Sequence, residues 1–170
     1  PEFANLMNDK AQRLGMTQSH FENPNGLDAE NHRSTARDLA ILASYAMDNP
    51  IFRQTVSTKT VTVGSRLLRN HNKLLWLYPG ADGVKTGFTK RAGRILVSSA
   101  TQNHRRLVAV TINDPNDWQD HAAMLNQGFS QFNLQRIVTV GDCVGYREIA
   151  GGKPEKVAVL AAENFVYAIS

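Results

Sequence analysis

The stretch from Gly80 to Ile112 constrains this chain more than any other. Gly80, Gly83, Gly87 and Gly93 punctuate its first part, around a Lys85-Thr86-Gly87 triplet. Two apolar, β-rich runs follow, Ile95–Ala100 and Arg106–Ile112, separated by the polar Thr101-Gln102-Asn103-His104-Arg105. A short polar spacer between two such runs predicts a hairpin. The Lys-Thr-Gly triplet just before it is expected to end one strand of the same sheet.

The flanks read as helices. Residues 2–14 place Phe3, Leu6, Met7, Ala11 and Leu14 on one face, with Gly15 suited to follow the last turn. Thr35 and Asp38 open a second helix in the manner of a capping box. Leu39, Leu42, Ala43, Ala46 and Met47 form its buried face, and Asn49-Pro50 ends it. Asn116 and Asp117 cap a third helix, with Trp118, Ala122, Leu125 and Phe129 inward. Residues 16–33 are polar, with Asn23-Pro24-Asn25-Gly26 as a turn. The β-branched segment 55–63 predicts a strand, Gly64-Ser65 a turn, and 66–79 is ambiguous. After about Asn133 the texture changes to short alternating runs broken at Gly141-Asp142 and Gly151-Gly152. The expected division is residues 1–133, and then 134–170 as the start of a small β domain.

Composition excludes several function classes. Hydrophobic residues make 42% of the 170, enough for a packed core and too many for wholesale disorder. Apolar runs such as Val157–Ala162 are too short to span a bilayer, and no charged-then-apolar leader is recognised at the start. One cysteine, Cys143, allows no disulfide framework and no Cys-rich zinc site. The net charge is +4, but the basic residues are dispersed, and no stripe suited to nucleic acid is present. His20, His32, His71, His104 and His121 are scattered without a metal-ligand spacing, so neither metal nor cofactor is expected.

The triplet carries the chemistry. A lysine and a threonine hydroxyl side by side offer a cation and a donor to a carboxylate, and the flanking glycines let a ligand approach the backbone. Taken alone, the triplet also fits an ordinary exposed strand with a surface lysine. Asn70 and Asn72 could line a cleft or hold a turn. Arg94 could support a carboxylate or form a structural pair. Asp28 and Asp38 suit turn and helix capping, Trp76 and Trp118 suit packing, and Cys143 suits an inert position.

The segment Ala81-Asp82-Gly83-Val84-Lys85-Thr86-Gly87-Phe88-Thr89, with Ala92-Gly93 behind it, resembles the third active-site motif of serine D-alanyl-D-alanine carboxypeptidases, the low-molecular-mass penicillin-binding proteins. Further matches lie in order at Met7-Asn8, Lys10-Ala11, Leu14-Gly15-Met16, Asn23-Pro24, Gly26-Leu27-Asp28, Ser34 through Ala40, and Asn70-His71-Asn72. The resemblance runs from about Pro1 to Phe132. It implies an α+β chain: a partial β-lactamase/transpeptidase-like fold, an antiparallel sheet with helices on both faces, followed by an incomplete small all-β domain.

It also implies a catalytic Lys85, a Thr86 that bonds the substrate carboxylate, a Gly87 that lets the substrate lie along the strand, and a Phe88 whose N–H forms half of an oxyanion hole. The implied ligands are the D-Ala-D-Ala end of peptidoglycan stem peptides and β-lactam antibiotics, at an extracytoplasmic location. The family's chemistry also needs Ser-x-x-Lys and Ser-x-Asn. Neither occurs here, and Ser34-Thr35-Ala36-Arg37 comes nearest to the first. The expectation is a chain that begins inside the catalytic domain and is inactive alone. It would be completed by an N-terminal half on another polypeptide or by exchange with a copy of itself. The alternative is a non-catalytic stem-peptide binding module.

Overall fold

The structure, a computed structural model, describes residues 2–169; Pro1 and Ser170, the outer limits of the two expected domains, lie outside the described residues. The chain divides into two compact units, Pro1–Gly128 and Phe129–Ser170.

The first unit is built on a three-stranded antiparallel sheet of order β3-β4-β5, formed by β3 (Ala81–Thr89), β4 (Gly93–Gln102) and β5 (Arg105–Ile112). The register sets Lys85 opposite Val97 and Val97 opposite Val110. The β4–β5 turn is tighter than the five-residue spacer suggests. The strands continue to Gln102 and from Arg105, leaving Asn103 and His104 at φ 50° and 61°. Two successive positive φ angles make the type I′ turn whose twist matches a hairpin. At the β3–β4 end, Gly93 has φ 72° and a Cβ there would strike the Asn113 side chain, so glycine is required.

Helices cover both faces, in agreement with the mixed α+β architecture expected. On one face, Ala43 and Met47 of α2 (Ala36–Met47) pack on Val84 and Val97, with Leu39, Phe52, Val56, Val108 and Val110 around them. Met47 is fully buried and contributes about 2 kcal/mol by leaving water. The helix starts where Thr35 accepts the N–H of Asp38. Ser98 follows Val97 and so faces the other side of the sheet. There it meets His121 of α5 (Asp117–Gln131). The first helix, α1 (Glu2–Arg13), falls where the apolar spacing places it, and Gly15 follows at φ 78°.

Residues 55–63 correct the expectation of a single strand. They divide between α3 (Pro50–Ser57) and β1 (Thr60–Val63), which pairs with β2 (Arg66–Arg69). Asn49-Pro50 ends one helix and also starts the next. Asn49 accepts the N–H groups of Ile51 and Phe52, and Pro50 occupies the first turn, where its missing N–H costs nothing. Phe52 and Val56 then gain burial against the core, which outweighs the strand preference of the β-branched residues. The ambiguous 66–79 resolves into β2 and a single helical turn, α4 (Leu74–Leu77).

The second unit contains two two-stranded antiparallel sheets. In one, β6 (Asn133–Val138) pairs with β9 (Phe165–Ile169); in the other, β7 (Cys143–Glu148) pairs with β8 (Lys156–Leu160). Among the described residues, no helix is long and apolar enough to cross a membrane.

Candidate functional site

Strand β3 lies at one margin of the sheet, with β4 on one side and no strand on the other among the described residues. Lys85, Thr86, Gly87 and Phe88 are consecutive on it and all line one groove of about 490 Å³. Lys85 is exposed, and its Nζ donates to the Thr86 carbonyl at 2.6 Å. Thr86 is half-buried, while Gly87 and Phe88 are exposed. A Cβ on Gly87 would come no closer than 3.7 Å to its nearest neighbour, the Ile95 Cβ, so the fold itself does not need glycine here.

The second wall is the Asn70-His71-Asn72 loop. Asn70 Nδ2 donates to the Val56 and Thr58 carbonyls, each at 3.1 Å, and its Oδ1 accepts the Asn72 N–H at 2.9 Å. Asn72 is buried at 1% exposure; its Nδ2 donates to the Gly83 carbonyl at 2.8 Å and its Oδ1 accepts the Leu74 N–H at 3.1 Å. The two amides therefore tie the loop to α3, α4 and β3. His71 and Lys73 are left exposed on the groove wall opposite the triplet. These two residues escape sequence reasoning; the signal available was the pair of asparagines, whose side chains suit backbone bonding, bracketing a residue left free.

Arg94, Ile95, Asp117 and Trp118 form the remaining wall. Arg94 donates from Nη2 to both Asp117 oxygens, at 2.7 and 2.8 Å, and from Nε at 3.1 Å. Its guanidinium also stands 5.7 Å from the Trp118 ring centre. Asp117 is 2% exposed at the start of α5, where a carboxylate also meets the positive end of the helix. Those hydrogen bonds first, and the carboxylate's charge second, raise the Arg94 pKa further above its ordinary value. Of the two roles open to Arg94, the structural pair is present, with the guanidinium still at the groove. Both tryptophans carry a cation as well as packing, since Arg69 lies 4.8 Å from the Trp76 ring centre.

The other sequence candidates lie in the scaffold. Asp28 accepts from Thr89 Oγ1 at 2.9 Å and so ties the polar loop to the end of β3. Asp38, 3% exposed, accepts from the Gln18 N–H at 2.9 Å and from Ser19 Oγ at 2.7 Å. Ser34, in the nearest approach to Ser-x-x-Lys, bonds Ser19 at 2.8 Å in this cap network. His121 is fully buried between Ser98 Oγ, 2.5 Å from Nδ1, and Thr111 Oγ1, 3.0 Å from Nε2. Burial pushes its pKa down to about 4, against weaker opposing pulls from Asp117 and Asp114. Cys143 is an exposed free thiol. Among the described residues, no three His, Cys, Asp or Glu side chains gather as a metal site would require.

The family model described as Peptidase S11, D-alanyl-D-alanine carboxypeptidase, matches residues 1–116. The chain belongs to this carboxypeptidase family. It is 33% identical to the D-alanyl-D-alanine carboxypeptidase DacD of Salmonella typhimurium, over 99% of this chain and 45% of the relative. Penicillin-binding protein 5 from Haemophilus influenzae superposes with a TM-score of 0.86 at 31% identity, over 99% of this chain and 51% of that one. Penicillin-binding protein D2 from Listeria monocytogenes, solved in a cefotaxime-bound form, gives a TM-score of 0.71 at 31% identity, over 75% of this chain and 55% of that one. The chain thus spans about half the length of the S11 relatives it matches.

Proposed function

We propose that this chain supplies the carboxylate-gripping wall of a serine D-Ala-D-Ala carboxypeptidase cleft. The observation that carries this is the placement of Lys85, Thr86, Gly87 and Phe88 together along a groove at a sheet margin, in a chain of the S11 family. Thr86 donates its hydroxyl to the terminal carboxylate of the peptide, and Lys85 sets the positive potential that draws the anion in. Gly87 keeps the strand bare, so that an extended peptide lies against it as an added strand. The Phe88 N–H serves as one donor of an oxyanion hole.

The ligand is the D-Ala-D-Ala end of a peptidoglycan stem peptide, which places the protein's work outside the cytoplasm. A β-lactam enters the same groove through its own carboxylate, as the cefotaxime-bound Listeria relative suggests. No metal or cofactor takes part. Cleavage by the family's route attaches the peptide acyl group to a serine, expels D-Ala, and then transfers the acyl group to water. With no Ser-x-x-Lys and no Ser-x-Asn among the 170 residues, the attacking hydroxyl comes from outside this sequence. An N-terminal half on a separate polypeptide, or one exchanged with a second copy, would provide it. The same absence favours a second reading, a module that binds stem peptides without turnover.

Both readings require the grip, and titration with an acetylated tripeptide ending in D-Ala-D-Ala tests it. The wild-type chain binds, and Thr86→Ala weakens binding about tenfold, near 1.4 kcal/mol for one lost hydrogen bond to a charged group. Intact mass after incubation with a fluorescent penicillin shows no adduct on this chain alone. Unchanged binding by Thr86→Ala, or a penicilloyl adduct on this polypeptide, contradicts the proposal. Turnover that appears on adding an N-terminal half separates the enzyme from the binding module.

A further inference from the structure

The cationic wall does not stop at Lys85. Between Asn49 and Ala81 the sequence holds Arg53, Lys59, Arg66, Arg69 and Lys73 and neither Asp nor Glu. The salt bridges among the described residues engage none of these five. Lys73 lines the groove of the Lys-Thr-Gly strand, while Lys59 and Arg69 line a second groove of about 440 Å³ between α3 and the β1–β2 hairpin. The two grooves meet at consecutive residues, since Asn70 lines the second and His71 the first.

That junction is held firmly. The Asn70 side chain bonds the Val56 and Thr58 carbonyls, and its N–H donates to the Lys59 carbonyl at 2.8 Å. Arg69 is fixed over Trp76 instead of moving freely in solvent. Val61 and Leu68, opposite each other in the hairpin register, add apolar contact area to the same groove.

A lipid surface would need a projecting apolar face. A run of cations without acidic partners, set along two adjoining grooves, instead suits an extended chain that carries its own negative charges. We infer that the cleft continues across Asn70 into the hairpin groove, and that this extension selects peptides bearing further carboxylates ahead of their C terminus. The inference rests on the carboxylate grip proposed above and names the class of peptide that grip receives.

Three labelled peptides test it by fluorescence anisotropy with the full chain. The first is uncharged ahead of D-Ala-D-Ala, the second carries two acidic residues there, and the third has the same acidic residues followed by L-Ala-L-Ala. At low salt the second binds about tenfold tighter than the first, and the gap closes at high salt. The double substitution Lys59→Gln, Arg69→Gln, at two exposed positions outside the Lys-Thr-Gly groove, removes the gap and leaves the first peptide's affinity unchanged. Equal affinities for the first two peptides, or a gap that survives the double substitution, overturn the extension. Equal binding of the second and third peptides marks the hairpin as a general polyanion surface and also overturns it. Absence of binding by both D-Ala-D-Ala peptides removes the carboxylate grip itself, and the extension falls with it.

Discussion

Gly87 separates what the fold needs from what a ligand needs. Its would-be Cβ has only ordinary van der Waals neighbours, so Gly87→Ala should leave stability within about 0.5 kcal/mol of wild type. The added methyl would stand where a peptide lies along the strand, and binding of the D-Ala-D-Ala tripeptide should fall at least tenfold. Thermal unfolding and titration of the same variant check both halves; a stable variant that binds normally would remove Gly87 from the site. His121 makes the opposite case, a buried group that acts through stability. The folded state keeps it neutral down to about pH 4, whereas the unfolded chain takes up a proton below about 6.5. Its contribution is therefore complete above pH 6.5 and is lost as the pH falls toward 4, at a rate of up to about 1.4 kcal/mol per pH unit. Urea unfolding across that window should show this slope in the wild type and not in His121→Gln; equal slopes would contradict the assignment. Neither role of His121 is written in the sequence. Its partners Ser98 and Thr111 lie on two strands distant along the chain, and only the fold brings them together. Lys85 and Thr86 were legible because their motif is contiguous, whereas His71, Lys73 and the Arg94–Asp117 pair reach the groove only through tertiary structure.

Among elements, the strands of the central sheet were the easiest to read and α3 the hardest. Ile95–Ala100 and Arg106–Ile112 carry their own signal as β-rich runs on either side of a turn. For α3, local preference and burial disagree: Thr55-Val56-Ser57-Thr58 favours a strand, yet Asn49 and Pro50 start a helix and Val56 is worth more packed on the sheet. The short α4 has no periodicity to detect, and its place is set by Asn72. That buried amide joins the loop before α4 to β3, the strand that carries the triplet. Replacing it by alanine leaves the Gly83 carbonyl and the Leu74 N–H without partners in a buried setting. A loss of about 2–3 kcal/mol is expected from Asn72→Ala. Binding measured below the unfolding transition should weaken too, as the groove walls lose their shared anchor. An Asn72→Ala chain with wild-type stability and affinity would show that the loop is held by other means.

At the scale of the molecule, β3 and β5 are both outer strands among the described residues, and they have different uses. An outer strand presents unpaired backbone groups that attract another chain. On β3 the proposed occupant is a peptide, and the glycines, the lysine and the adjoining groove serve that role. On β5 the expected occupant is the remainder of the family's catalytic sheet, which the family resemblance locates beside Arg106–Ile112. The second unit, with its two small sheets, was legible as a change of texture near Asn133, although the compact unit begins at Phe129, inside the last turn of α5. The decisive measurement is a titration of the isotopically labelled chain with the acetylated D-Ala-D-Ala tripeptide as the free acid and as the C-terminal amide, followed through the backbone amide signals. A grip on the terminal carboxylate predicts that the free acid shifts Thr86, Gly87 and Phe88 saturably and that the amide leaves them in place. Identical shifts with both peptides, or shifts confined to residues away from β3, would contradict it.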